Sequence, residues 1–547
     1  MKTATRFSLP LVAPGWGWGV AVWMFALIVT LPLLVILSAW LTPDWKVWRH
    51  LVETVLGELL VNTLILMWGV SLLVLLLGVG LAWLTAMCSF PGQRFFDWAL
   101  ILPMAIPAYV LAFTVLGFLD YGGPIQSWLI GRFGAHGYWF PDTRSPAMVV
   151  TVLSLTLYPY VYMLARGAFL SQGQRMLEAS RMLGRSVWGS FFHAALPMAR
   201  PAMAAGCALA VMEALADFGA VSVFGFNTFT TAIYKAWFGL FSLHAATQLA
   251  SLLLVFVCCA LVIERRMRGR ARYFAGDGHG GGVRIPLRGF RGVLATLFAG
   301  SVFAFAFVLP MGQLGVWAWG AARGDMNARY WDLVTHTLLL GCGAALVTTV
   351  GALLMGIARK RRPDRIMRVA ARVATLGYAM PGSVLAVGVM LTLVWLDKGL
   401  AVLFRGVFGE GSGSFVSGSI LALLFAYLVR FLAVAYGPVE SGLERIRPSI
   451  PEAAHSLGSG NREVLRRIYL PMLRPSLLTA LLLVLVEVMK EMPATLLLRP
   501  FGWDTLSVRI YEMTSEGEWE RAALPAVTLV LAGLLPVMLL VRKTARH

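Results

Sequence analysis

Twelve apolar runs, each long enough to cross a bilayer's hydrocarbon core, constrain this chain more than any other feature. They lie near 17–41, 58–86, 98–118, 146–166, 201–223 and 245–263. A second set lies near 292–318, 333–357, 370–395, 417–436, 475–498 and 522–541. Backbone groups in lipid find no water, so such runs cross as helices that bond to themselves. Only 13% of the 547 residues are charged, where a soluble domain carries about a quarter. The expected fold class is an all-α membrane protein with twelve transmembrane helices.

The net charge of +19 would suit a nucleic-acid partner, but its distribution argues against one. Basic residues gather at the ends of apolar runs, as in Arg265, Arg266, Arg268, Arg270 and Arg272, and in Arg359, Lys360, Arg361 and Arg362. That is the positive-inside pattern of cytoplasmic loops beside membrane lipid. No soluble domain is present that could offer a basic patch to nucleic acid. Lys2 and Arg6 precede the first run, and Arg542, Lys543 and Arg546 follow the last. With an even number of spans, both termini are expected in the cytoplasm. The first run exceeds a signal peptide's apolar region and lacks a small-residue cleavage site, so it reads as a retained helix. Cys88, Cys207, Cys258, Cys259 and Cys342 sit in or beside apolar runs and form no metal or disulfide pattern.

The chain is a repeat. An offset of 274 relates Thr63 to Thr337, Pro107 to Pro381, Glu178 to Glu452, Gly184 to Gly458, Pro197 to Pro471, Glu213 to Glu487 and Asp217 to Glu491. Further on, Ile233-Tyr234 matches Ile510-Tyr511 at 277. The expected organisation is a first half over 1–263, a linker over 264–291 and a second half over 292–547. The linker is rich in arginine and contains Gly276-Asp277-Gly278-His279-Gly280-Gly281-Gly282, which suits a flexible tether. Two six-helix halves of one orientation imply a pseudo-twofold axis along the membrane normal, with the transport site where the halves meet.

The strongest motif is a duplicated cytoplasmic segment. One copy reads Leu177-Glu178-Ala179-Ser180-Arg181-Met182-Leu183-Gly184, then Ala195-Leu196-Pro197; the other reads Pro451-Glu452-Ala453-Ala454-His455-Ser456-Leu457-Gly458, then Tyr469-Leu470-Pro471. Glu178 or Glu452 at a helix start complements the helix dipole. Ala179 and Ala453 keep that helix thin, Gly184 and Gly458 permit a turn, and Pro197 and Pro471 suit the start of the next helix. Both copies resemble the EAA loop of ABC importer permeases, with Ser180 in place of the third small residue. The resemblance implies a type I ABC importer fold as two parallel six-helix repeats. It also implies a bacterial inner-membrane location, two separate ABC ATPase subunits docking on these loops, and a periplasmic substrate-binding protein. ATP and Mg would then bind the partner subunits, with no cofactor or firmly assigned metal on this chain. Leu170-Ser171-Gln172-Gly173-Gln174 looks like an ATPase signature, yet no GxxxxGK[ST] phosphate loop accompanies it.

Within the spans, Glu213 and Asp217 lie four apart, as do Glu487 and Glu491, with Lys490 beside them. Read as continuous helices, each pair shares a face. Two readings stand open: an acidic lining for a cationic substrate, or ion pairs that fix helix packing. The stretches Glu213 to Val221, Thr228 to Tyr234, Glu487 to Leu496 and Leu498 to Gly502 resemble ferric-iron importer permeases. The fused layout is shared with thiamine permeases, which stay as the alternative substrate class. Ferric ion prefers oxygen donors; Tyr158, Tyr160 and Tyr162 could supply them or simply pack. A proton-coupled secondary transporter is the distant alternative, since it would not need duplicated docking loops. No nucleophile–base constellation suggests an enzyme.

Overall fold

The structure is a computed structural model that describes residues 16–41, 43, 45–134, 139–173, 180, 182–268, 284–361, 364–408 and 416–544. Among these residues, ten helices are long and apolar enough to cross a membrane, from Leu56–Met87 to Asn461–Lys490. The helix Trp16–Ser38 occupies the first expected span and Trp519–Thr544 the last. Lipid-facing stripes mark these helices: Trp68, Leu72 and Leu76, spaced by one turn on Leu56–Met87, are all more than 60% exposed.

Four expected spans are shifted, each for a local reason. The runs near 98–118 and 370–395 yield long helices only from Ala108 and Gly382. Pro107 and Pro381 disfavour helical geometry in the residue before them, so short 3₁₀ turns, Leu102–Ala105 and Leu376–Ala379, precede each break. The runs near 201–223 and 475–498 yield Leu196–Ala216 and Leu470–Lys490, which stop one residue before Asp217 and Glu491, inside the expected spans.

Contacts divide the chain into two compact units. One comprises Met1–Val35, Leu338–Ala379 and Gly388–Val488. Its helices close on glycines: a Cβ on Gly351 would stand 3.1 Å from the Phe25 ring, and one on Gly377 would strike the Val429 carbonyl. Arg359 pairs with Glu440 and donates to the Tyr436 hydroxyl at 2.9 Å. Lys360 donates to the carbonyls of Leu443 and Ile446, the last turn of Ile420–Arg445 and its cap.

The other unit comprises Ile36–Thr337, Met380–Val387 and Met489–His547. Gly78 and Gly206 both abut Val161, where a Cβ on Gly206 would come within 2.7 Å of the Val161 Cα. Small residues let helices approach closely where no water drives association. Tyr158 and Tyr162 are fully buried, their hydroxyls donating to the carbonyls of Leu100 and Asp97. They pack rather than line a path. Of the linker, 269–283 lies outside the described residues, and Ile285–Pro286 forms a short parallel ladder with Cys88–Ser89.

Candidate translocation path and coupling segments

The second of the two duplicated segments is a helix over Ser449–Ser456 with Glu452 in its first turn and both Glu452 and Ala453 exposed. Gly458 ends it with φ of +85°. The Ser459 N–H reaches back to the Ala454 carbonyl at 3.0 Å and the Gly458 N–H to that of His455 at 3.0 Å. These two bonds make a Schellman closure, which satisfies the last carbonyls of the helix and needs a left-handed residue. In the first copy Glu178 and Ala179 lie outside the described residues. Its end is described and matches: Gly184 has φ of +81°, and the Arg185 N–H bonds to the Ser180 carbonyl at 3.2 Å. Leu183 and Leu457, each just before its glycine, are 84% and 87% exposed.

Pro197 and Pro471 are second residues of Leu196–Ala216 and Leu470–Lys490, but the helix does not begin there. A π turn runs directly into each, Phe191–Ala195 in one half and Leu465–Tyr469 in the other, again 274 apart. In a regular helix the proline ring would clash with the carbonyl four residues earlier. The wider turn, closed by Leu196 N–H to the Phe191 carbonyl and Leu470 N–H to that of Leu465, gives it room.

At the other end of these helices the structure corrects the shared-face premise for the acidic pairs. The helix stops at Ala216, and Asp217 has extended backbone. Its Oδ1 accepts from the N–H groups of Ala220 at 2.8 Å and Val221 at 3.2 Å, starting the short helix Gly219–Val223. Glu491 does the same for Pro493–Leu498: Oε1 accepts from Ala494 N–H, and Oε2 from both Thr495 N–H and its hydroxyl, all near 3.0 Å. Glu491 is only 5% exposed. Each carboxylate thus satisfies donors that a helix start leaves orphaned. Glu213 and Glu487 lie about one turn earlier and are half-buried. Lys490 donates to the Met104 carbonyl at 2.7 Å.

A second pair of bonds pins the breaks. Thr230 donates its hydroxyl to the Asp217 carbonyl at 2.7 Å, and Ser507 to that of Glu491 at 3.0 Å. Thr230 and Ser507 are 277 apart, while Asp217 and Glu491 are 274 apart. Three extra residues therefore lie between Arg499 and Asp504, where Arg499 pairs with both Asp504 and Glu512. Thr228 and Thr505 cap the next helices, Phe229–Tyr234 and Leu506–Ser515. The sequence held this signal in the four hydroxyl residues at offset 277. Its helical spacing of carboxylates obscured it.

The model of the family described as binding-protein-dependent transport system inner membrane component matches residues 75–269 and 348–546, once in each half. The chain is 28% identical over 493 residues to the Fe(3+)-transport system permease protein FbpB 2 of Haemophilus influenzae, covering 89% of this chain and 90% of that one. It is 24% identical over 439 residues to the ferric transport system permease protein FbpB of Actinobacillus pleuropneumoniae, covering 77% and 61%. Two family matches spanning most of a chain built as two copies leave one assignment: the chain belongs to the binding-protein-dependent transport system inner membrane components, the permeases of ABC importers.

Proposed function

We propose that this chain is the fused permease of an ATP-driven importer of ferric ion, fed by a periplasmic binding protein and driven by two separate ATPase subunits. The observation that carries the ferric assignment is the likeness along 90% of a permease named for Fe(3+) transport. The halves, 1–263 and 292–547, supply the two copies of the transport machinery, joined through 264–291, with both termini on the ATPase side. The segments Glu178–Pro197 and Glu452–Pro471 are the ATPase seats. The exposed helix carrying Glu452 and Ala453, closed by the left-handed turn at Gly458, supports this reading.

Nucleotide binding draws the ATPases together, the seats follow, and the path opens outward to the loaded binding protein. Hydrolysis resets it. ATP and Mg belong to the partner subunits. Glu213 and Glu487 are the carboxylates assigned to the path, where hard oxygen donors suit a ferric cation. Asp217 and Glu491 are committed to holding the helix breaks. The test is uptake of radiolabelled ferric ion by cells with and without this gene, with labelled thiamine in parallel. Loss of iron uptake alone is expected. Loss of thiamine uptake alone would discard the ferric assignment and keep the importer.

A further inference from the structure

Residues that occupy the same place in two repeats, and that touch each other, must lie close to the axis relating those repeats. Tyr234 and Tyr511 meet that condition. Both follow an isoleucine in helices capped by Thr228 and Thr505, and their rings meet edge to face at 6.5 Å and 78°. Phe218 touches both, at 5.2 Å each. The Ser222 hydroxyl lies 3.5 Å from that of Tyr511.

Depth follows from helix length. Leu196–Ala216 and Leu470–Lys490 have 21 residues each, about 30 Å at 1.5 Å per residue. Leu196–Ala216 continues the helix that leaves the first duplicated segment, so the break after it, and the tyrosine-bearing helix pinned to that break, lie toward the opposite membrane face. A substrate arriving from outside at the repeat axis meets this cluster first. Both tyrosines are half-buried. Burial raises both phenols above their ordinary pKa, with Arg499 drawing Tyr234 down and Ser222 drawing Tyr511 down. At rest the cluster is therefore neutral. Glu512, paired with Arg499 at 2.7 Å, supplies negative charge nearby.

Among the described residues, no group of three or more His, Cys, Asp or Glu could hold a metal. Tyrosine and serine oxygens are also hard donors, and they are the ones gathered here.

We propose that Tyr234 and Tyr511 form the outer mouth of the path: their rings seal it on the repeat axis, and their phenol oxygens are the first protein ligands of an incoming ferric ion, with Ser222 beside them. This rests on the ferric reading above. As each Fe–O bond forms, the O–H bond breaks and the proton passes to water, with no change of oxidation state.

The test uses the complete permease–ATPase complex in liposomes, as wild type, as the pair Tyr234→Phe with Tyr511→Phe, and as the pair Tyr234→Ala with Tyr511→Ala. Ferric citrate is the probe for binding, and the periplasmic binding protein loaded with ferric ion, supplied with ATP, is the probe for transport. The wild type is expected to show a visible phenolate-to-iron charge-transfer band and to release protons on binding. The phenylalanine pair keeps the rings, so it should hold the seal and ATP hydrolysis while losing the band, with iron affinity falling about 10–100-fold. The alanine pair should make the liposomes leak a small-ion dye without ATP. A phenylalanine pair that binds and transports iron like the wild type overturns the ligand assignment while leaving the ferric reading intact. A tight alanine pair overturns the seal. A wild type that accumulates no iron sinks the ferric reading itself.

Discussion

Asp217 and Glu491 occupy equivalent places yet should respond differently to loss of charge. Asp217 uses one oxygen, Oδ1, for both backbone donors. Asp217→Asn keeps an oxygen there, so only charge assistance is lost, about 1 kcal/mol given the gap between charged and neutral hydrogen bonds. Glu491 uses both oxygens, one on Ala494 and one on Thr495. Glu491→Gln turns one of them into an NH₂ that faces an N–H donor. A buried donor left unmet adds about 1–3 kcal/mol, for a total of about 2–4. Thermal unfolding of the purified complex should rank wild type above Asp217→Asn and both well above Glu491→Gln. Asp217→Asn, once folded, should transport normally. Equal or inverted midpoints would refute the capping roles. A stable but inactive Asp217→Asn would show that its carboxylate serves the substrate.

Gly458→Val forces a β-branched residue to φ of +85° at about 1–2 kcal/mol; with open space around the site, the protein should reach the membrane while ATP hydrolysis no longer drives uptake, as paired hydrolysis and transport assays would read. Gly206→Ala should lower the unfolding free energy by about 1–3 kcal/mol, because its Cβ meets Val161 and Tyr160 backbone. Gly315→Ala, in the interior of Leu309–Asp325 with nothing within 4 Å, should instead raise the unfolding free energy by about 0.5–1 kcal/mol. Asp97→Ala strands Arg166, its partner at 3.1 Å with both about a quarter exposed, at about 1–3 kcal/mol, below the full buried-pair figure; chemical denaturation would show the loss.

The repeat offset and the glycine turns were legible because each depends on residue identity at a fixed separation. Gly184 and Gly458 could be read as turns since few other residues tolerate that backbone. The helix breaks were not legible in the same way. Glu213 and Asp217 are spaced as on one helix, and nothing in that spacing says that the helix stops at Ala216. Competition between continuing the helix and capping a new one is settled by Thr230 and Ser507, thirteen and sixteen residues away, which hold the carbonyls of Asp217 and Glu491. The π turns escaped for a related reason: Pro197 and Pro471 announce a disturbed helix, but a widened turn and a helix start leave the same trace in sequence. The Tyr234–Tyr511 contact needed the fold, since only packing brings repeat mates together.

The most direct test of the account is ATP-dependent accumulation in proteoliposomes containing this chain, its ATPase and a ferric-loaded binding protein. Accumulation of iron that needs all three components and ATP is the result expected. Accumulation of thiamine in its place, or iron uptake driven by a proton gradient without the ATPase, would contradict it.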